Sequence, residues 1–241
     1  MVHASHGLKI YSKKYHVFTA LGVFLLPILF LFLIGGLSHV HTQDLAAGIG
    51  LSLYRLLLAY AVSLALGVSI AILIGYSSWA SSLVPVFDVL QNVPSFALIP
   101  VFAILFGYTN AMAIIFAASS IIWPILFYVL NAIKTARSEL NEAATVFGAI
   151  GLKRIFHYLI PLSFPAIITS SIVGISIGWE AVIGVEIIGL KNGVGVFLNH
   201  ASILGDRTTL LAGILGILIL VFSINKLIWM PLLKKAQYYA E

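Results

Sequence analysis

Three acids lie inside or beside strongly apolar stretches of this chain: Asp88, Glu180 and Glu186. Two amides, Gln91 and Asn92, follow Asp88 at helical spacing. A charge held in hydrocarbon costs about 2.5 kcal/mol or more, so such groups face water, a cavity or a partner. Their chemistry is that of a polar path lining or of an ion relay. Other chemistries find less support. The histidines His3, His6, His16, His39, His41, His157 and His200 all fall outside the centres of the apolar stretches. His39 and His41 stand two apart in a polar loop without the further ligands a metal needs. There is no cysteine, hence no disulfide or thiolate site. There is also no G-x-S-x-G turn and no G-x-x-x-x-G-K-[ST] phosphate loop. No catalytic residue, metal or cofactor is expected.

The elements that must position these groups are membrane helices. Of 241 residues 61% are hydrophobic and 9% charged, with mean hydropathy +1.10. Soluble domains carry about 25% charged residues. The expected fold is all-α: a polytopic bundle of about six spans forming a single transmembrane domain over residues 17–241, behind a basic lead at 1–16. The apolar runs are Val17–Leu37, Leu51–Gly75, Leu83–Phe106, Ala111–Leu130, Pro161–Val182 and Thr208–Met230. The second carries Ala59, Ser63, Gly67, Ala71 and Gly75, and the fifth Ala166, Ser170, Gly174 and Gly178, small residues at a four-residue spacing. Such faces let another backbone approach closely, so both helices belong to the packed centre, quite naturally against each other. The third run, with Pro85, Pro94 and Pro100 around Asp88, Gln91 and Asn92, cannot be a straight lipid-exposed helix.

Lys and Arg set the orientation. With six spans, Lys9, Lys13, Lys14, Lys134, Arg137, Lys153, Arg154, Lys234 and Lys235 share one side, against Arg55, Lys191 and Arg207 on the other. Nine against three puts both termini and the 132–160 loop in the cytoplasm. The net charge of +5 thus reflects membrane orientation, not nucleic-acid binding.

Within that loop, Ser138 can cap a short helix whose first turns carry Glu139 and Glu142, where the helix dipole favours acids. Ala143 and Ala144 keep its surface shallow, Gly148 or Gly151 can end it in a left-handed conformation, and Pro161 suits the first turn of the next helix.

The series Glu142-Ala143-Ala144, Gly148 and Pro161 resembles the EAA loop of ABC-importer permeases, with Tyr158 and Ile160 where an Ile–Leu pair is usual. Arg55, Pro85, Pro94, Ala97, Pro100, Phe106-Gly107, Pro165, Trp179, Glu186 and Gly193-Val194-Gly195 extend the resemblance to the nitrate/taurine/sulfonate branch. The resemblance implies a type I importer permease fold in the cell membrane, coupled at Glu142, Ala143, Ala144, Gly148 and Pro161 to a separate ATPase, two copies per complex. It also implies an extracytoplasmic binding protein and a second permease subunit, identical or not. Asp88, Gln91, Asn92 and Glu180 are the path candidates. Two departures bear on the substrate: this chain has Leu90-Gln91-Asn92-Val93-Pro94 where many members have Leu-Arg before an Ile-Pro, and Glu180 is an extra acid, so an anionic solute does not follow. The alternative is a secondary carrier or channel relaying ions through Asp88, Glu180 and Glu186. It would need no EAA loop, and the inverted repeat of many carriers is absent.

Overall fold

The computed structural model describes residues 42–136 and 138–238. The expected first span, the basic lead, His39 and His41 lie outside them. Among the described residues every regular element is helical. Four helices are long and apolar enough to cross a membrane, and a bent pair makes up to five spans. They are α1 (Thr42–Tyr76), the pair α2 (Val84–Gln91) and α3 (Ser95–Phe106), α4 (Asn110–Lys134), α6 (Leu152–Ile188) and α8 (Arg207–Ala236). Two shorter helices are α5 (Ser138–Val146) before α6 and α7 (Val194–Ile203) between α6 and α8, and a single helical turn, Ser78–Ser81, joins α1 to α2.

α1 begins at Thr42, so part of the polar stretch expected as a loop up to Gly50 is the first turns of a helix. The third apolar run is broken as its prolines demand. Pro85 sits in the first turn of α2 and Pro100 in the first α-helical turn of α3, which follows the 3₁₀ turn Ser95–Leu98; a missing N–H costs nothing at either place, and Pro94 stands in the extended corner between the two helices. The two arms are bent by 85°.

α4 is the centre of the bundle, packed between α1 and α6. Ala59, Ser63, Gly67 and Ala71 are buried, as are Ser170, Gly174 and Gly178, but the two small faces do not close chiefly on each other. A Cβ on Gly67 would meet Ile125 at 2.9 Å, one on Gly174 would meet Ile121 at 3.0 Å, and one on Gly75 would meet Ile133 at 2.6 Å. The partner of both faces is one ridge of isoleucines on α4. Ser63 reinforces it by donating to the Ala118 carbonyl at 2.9 Å.

Two helices contain a π turn, and both have the same cause. Ile155–Leu159 is followed one residue later by Pro161, and Asn225–Trp229 by Pro231. A proline inside a helix removes one i→i−4 bond and pushes against the carbonyl behind it, and a widened turn absorbs both. Pro161 therefore does not open a helix as expected. α6 already starts at Leu152, and Pro161 lies inside it, beyond the π turn.

Candidate functional site

Three places in the molecule carry polar or exposed groups that packing alone does not call for. The first is at the end where α1 and α8 begin. Arg55 (0% exposed) and Glu186 (1% exposed) form a buried ion pair, Nη1 to Oε1 at 2.5 Å. Every donor of the guanidinium is used. Nε and Nη2 donate to Asn110 Oδ1 at 2.9 and 2.6 Å, Nη1 also donates to the Asn192 carbonyl at 2.9 Å, and Nη2 to Asn192 Oδ1. The carboxylate accepts from Ser52 Oγ at 2.7 Å and from the Gly195 N–H at 2.8 Å, and Ser52 Oγ accepts from the Val194 N–H at 2.9 Å. Gly193 makes room for it: φ is +121°, and a Cβ there would lie 2.3 Å from the carboxylate carbon. The network ties α1, α4, α6 and the start of α7 into one cap.

Arg55, counted above with Lys191 and Arg207, is a buried charge. One expectation is corrected. Glu186 is bound up in a saturated pair and takes no part in a relay with Asp88 and Glu180. Sequence order had marked Arg55 and Glu186 singly; their pairing, with Ser52, Asn110 and Asn192, was not anticipated.

The second place is a cleft of about 390 Å³ where the corner between α2 and α3 faces α4 and α6. Trp123, Phe127 and Tyr128 supply aromatic walls, and Gln91, Ser95 and Ser120 polar ones. Of the path candidates, Gln91 lines it directly and donates from Nε2 to Asp88 Oδ1 at 3.2 Å. Asn92 instead turns back on its own helix, Nδ2 to the Asp88 carbonyl at 2.5 Å. Glu180 is exposed and lies one turn beyond the cleft-lining Ile177, within about 60° of it on α6.

The third place is the turn between α4 and α6. α5 begins at Ser138 and ends before Gly148, whose φ is +76°, with Gly151 at +58°. Gly148 follows the end of α5 with the positive φ expected there, whereas Gly151, with ψ −131°, stands at the start of α6. Glu142 is exposed, and Ala143 and Ala144 are half-buried. Asn141 holds α5 in place: its Oδ1 accepts from Tyr158 Oη at 2.9 Å and Arg154 Nη2 at 3.2 Å. Asn141 was not anticipated; an asparagine beside the Glu-Ala-Ala triplet carries no signal until its partners 13 and 17 residues on are known to be adjacent. Beyond α5 the surface is apolar and open: Val146 is 83% exposed, Phe147 88%, with Ile150, Leu152 and Phe156 also exposed. An adjoining hollow of about 530 Å³ is lined by Leu140, Ala144, Phe147, Gly148, Lys153 and His157, among others.

No group of acids and histidines able to hold a metal ion occurs among the described residues.

The family model described as binding-protein-dependent transport system inner membrane component matches residues 63–229. The chain is 27% identical over 184 residues to the taurine transport system permease protein TauC of Escherichia coli, covering 76% of this chain. It is 26% identical over 177 residues to the putative aliphatic sulfonates transport permease protein SsuC of Bacillus subtilis, covering 73% of this chain. It spans 66% of the length of the first and 64% of the second. A chain of the MetNI methionine ABC transporter, in an inward-facing conformation, superposes with TM-score 0.70 at 15% identity. That match covers 83% of this chain and 97% of the other.

Proposed function

This chain belongs to the family of binding-protein-dependent transport system inner membrane components and has the type I ABC importer permease fold, and from that premise we propose that it is the membrane-spanning subunit of an ATP-driven importer. It forms, with a second permease subunit, the path for a small solute handed over by an extracytoplasmic binding protein. It performs no covalent chemistry. ATP is hydrolysed by two copies of a partner chain docked at the 138–161 stretch, and both termini lie on that cytoplasmic side. Closure of the ATPase pair on ATP would move α5. α5 is tied to α6 through Asn141, and the spans would then exchange between inward- and outward-open arrangements. Each arrangement requires its own contacts, since ATP shifts the balance only through its partner's changed fit.

The observation that carries this reading is the exposed apolar surface from Val146 to Phe156 beside Lys153 and Arg154. Fully exposed Val, Phe and Ile in a row are unfavourable in water and mark a contact surface. On the basic side of the bilayer that contact is another protein. The Asp88–Gln91 face of the broken α2–α3 pair supports the path, because irregular backbone at membrane depth is tolerated where it lines a cavity.

A photo-crosslinking residue at Phe147, in cells that produce this chain natively, tests the docking. Crosslinks to an ATPase subunit, lost when the label is moved to Leu218 on the lipid-facing side of α8, are expected. Crosslinks to nothing, or uptake driven by a proton gradient in the absence of ATP, would sink the reading.

A further inference from the structure

We infer that the cleft at the α2–α3 corner is a transient binding site for a flat, N–H-bearing solute without net negative charge, and so differs in substrate class from the aliphatic sulfonates in the name of one of its relatives. This inference rests on the path reading above. Its first support is the shape and surface of the cleft. The volume of about 390 Å³ suits a solute of one or two rings. Trp123 and Phe127, one helical turn apart on α4, and Tyr128 beside them present π surfaces. Phe87 packs its ring 6.4 Å from that of Trp123 and backs it from α2. Stacking on such faces favours a planar partner.

Charge is the second support. No carboxylate, Lys, Arg or His lines the cleft. Behind the wall, Asp88 is hydrogen-bonded to Gln91, and Glu180 is one turn beyond the wall residue Ile177 on α6. Aromatic faces present the negative side of their quadrupole, which attracts cations and repels anions. An anion in this cleft would be walled by aromatic rings with a carboxylate behind Gln91, and with no Lys or Arg in the wall to offset them. A sulfonate is thus the least suited guest.

The third support is a backbone acceptor. Pro124 has no N–H for the Ser120 carbonyl one turn earlier, and both residues line the cleft. That carbonyl lacks its regular helical donor and, unlike the hydroxyls of Ser95 and Tyr128, cannot turn to donate. An N–H on the edge of a planar ring satisfies it.

Because the native chain has no cysteine, site-specific protection provides the test. Val93→Cys and Ser95→Cys are introduced into the full permease–ATPase complex in nanodiscs, and the rate of modification by a charged methanethiosulfonate reagent is followed with and without ATP. Nicotinamide and 1-methylnicotinamide serve as flat N–H-bearing probes, neutral and cationic, and ethanesulfonate as the anionic sulfonate probe, all at equal millimolar concentration. Both flat probes are expected to slow modification about tenfold, and ethanesulfonate to leave it unchanged. Adding Gln91→Arg should reverse the preference. Protection by ethanesulfonate in the unsubstituted background would overturn the inference, as would modification that no flat probe slows; in either case the path reading stands. Cysteines that react in neither nucleotide state would overturn both together.

Discussion

The two ends of this molecule invert the usual rule of what is buried. At the α1 start, Arg55, Glu186 and Ser52 are buried and their hydrogen-bonding capacity is met within the chain. At the α5 end, Val146, Phe147, Ile150 and Leu152 are exposed on the surface of the chain. A buried charge is tolerated only when paired and fully hydrogen-bonded. An exposed apolar row persists when another molecule removes it from water. The first end is therefore complete in itself, and the second is, on the function proposed above, half of an interface. Substitutions at the two ends should separate along the same line: stability lost at one, association lost at the other.

The largest loss of stability is expected from Glu186→Ala. It leaves the Arg55 guanidinium buried without its counter-charge, a cost of about 3–5 kcal/mol. The double variant Arg55→Met, Glu186→Leu removes both charges and should recover much of that loss, since well-packed apolar pairs often match buried ion pairs. Thermal unfolding of the purified chain in detergent reads both. A single variant as stable as the parent would mean the cap is not the self-contained element described.

Next come the small faces. Gly178→Leu would drive a side chain into Leu56 and Ile121, which already lie 2.5 and 2.6 Å from where a Cβ would be. Gly67→Leu would meet Ile125. Overpacking of this kind costs about 1–3 kcal/mol, seen as reduced assembly yield. A trimmed partner sharpens the point: Ile125→Ala should partly rescue Gly67→Leu and not Gly178→Leu. Rescue of neither would place the contact elsewhere.

The contrast also bears on what could be read from the chain alone. Local features were legible. The three prolines of the third run dictate a break wherever the chain folds, and the left-handed turn at Gly148 follows from a helix needing an end. Features set by distant partners were not. A small-residue face announces that something comes close without naming it; the complement proved to be the isoleucine ridge of α4, which looks like any apolar helix. Arg55 and Glu186 stand 131 residues apart, and a lone Arg at a span end reads as an interfacial charge until its acceptors appear. The start of α6 was misplaced because proline at a helix N-terminus is the common case. A π turn that accommodates it further in leaves no mark in the sequence beyond the proline itself.

At the α5 end the changes in stability should be small and the changes in coupling large. Gly148→Val forces a β-branched residue to φ +76°, a strain of about 1–2 kcal/mol. A Cβ there meets nothing within 4 Å, so no clash adds to it. The variant should insert and fold, yet fail to stimulate ATP hydrolysis in response to the loaded binding protein. Reconstituted complexes with normal stimulated hydrolysis would make the turn a passive connector.

The smallest effect on stability, and the most telling, belongs to Phe147→Ser. The side chain is 88% exposed, so removing it takes almost no packing from the folded chain. Replacing an exposed aromatic by a hydroxyl should leave thermal unfolding unchanged or slightly improved. If the same ring is an anchor in an ATPase pocket, its loss should cost about 2 kcal/mol or more of association, roughly a thirtyfold weaker complex. Co-purification of the ATPase at increasing dilution measures this directly. Asn141→Ala provides the necessary contrast on the same helix. It leaves Phe147 in place but releases α5 from Tyr158 and Arg154. Association should then persist while substrate-stimulated hydrolysis falls, because a docked helix no longer tied to α6 cannot move it. If Phe147→Ser and Asn141→Ala lost the same quantity, docking and transmission would be one function, and the division of labour between an adhesive surface and a rigid tie would be wrong.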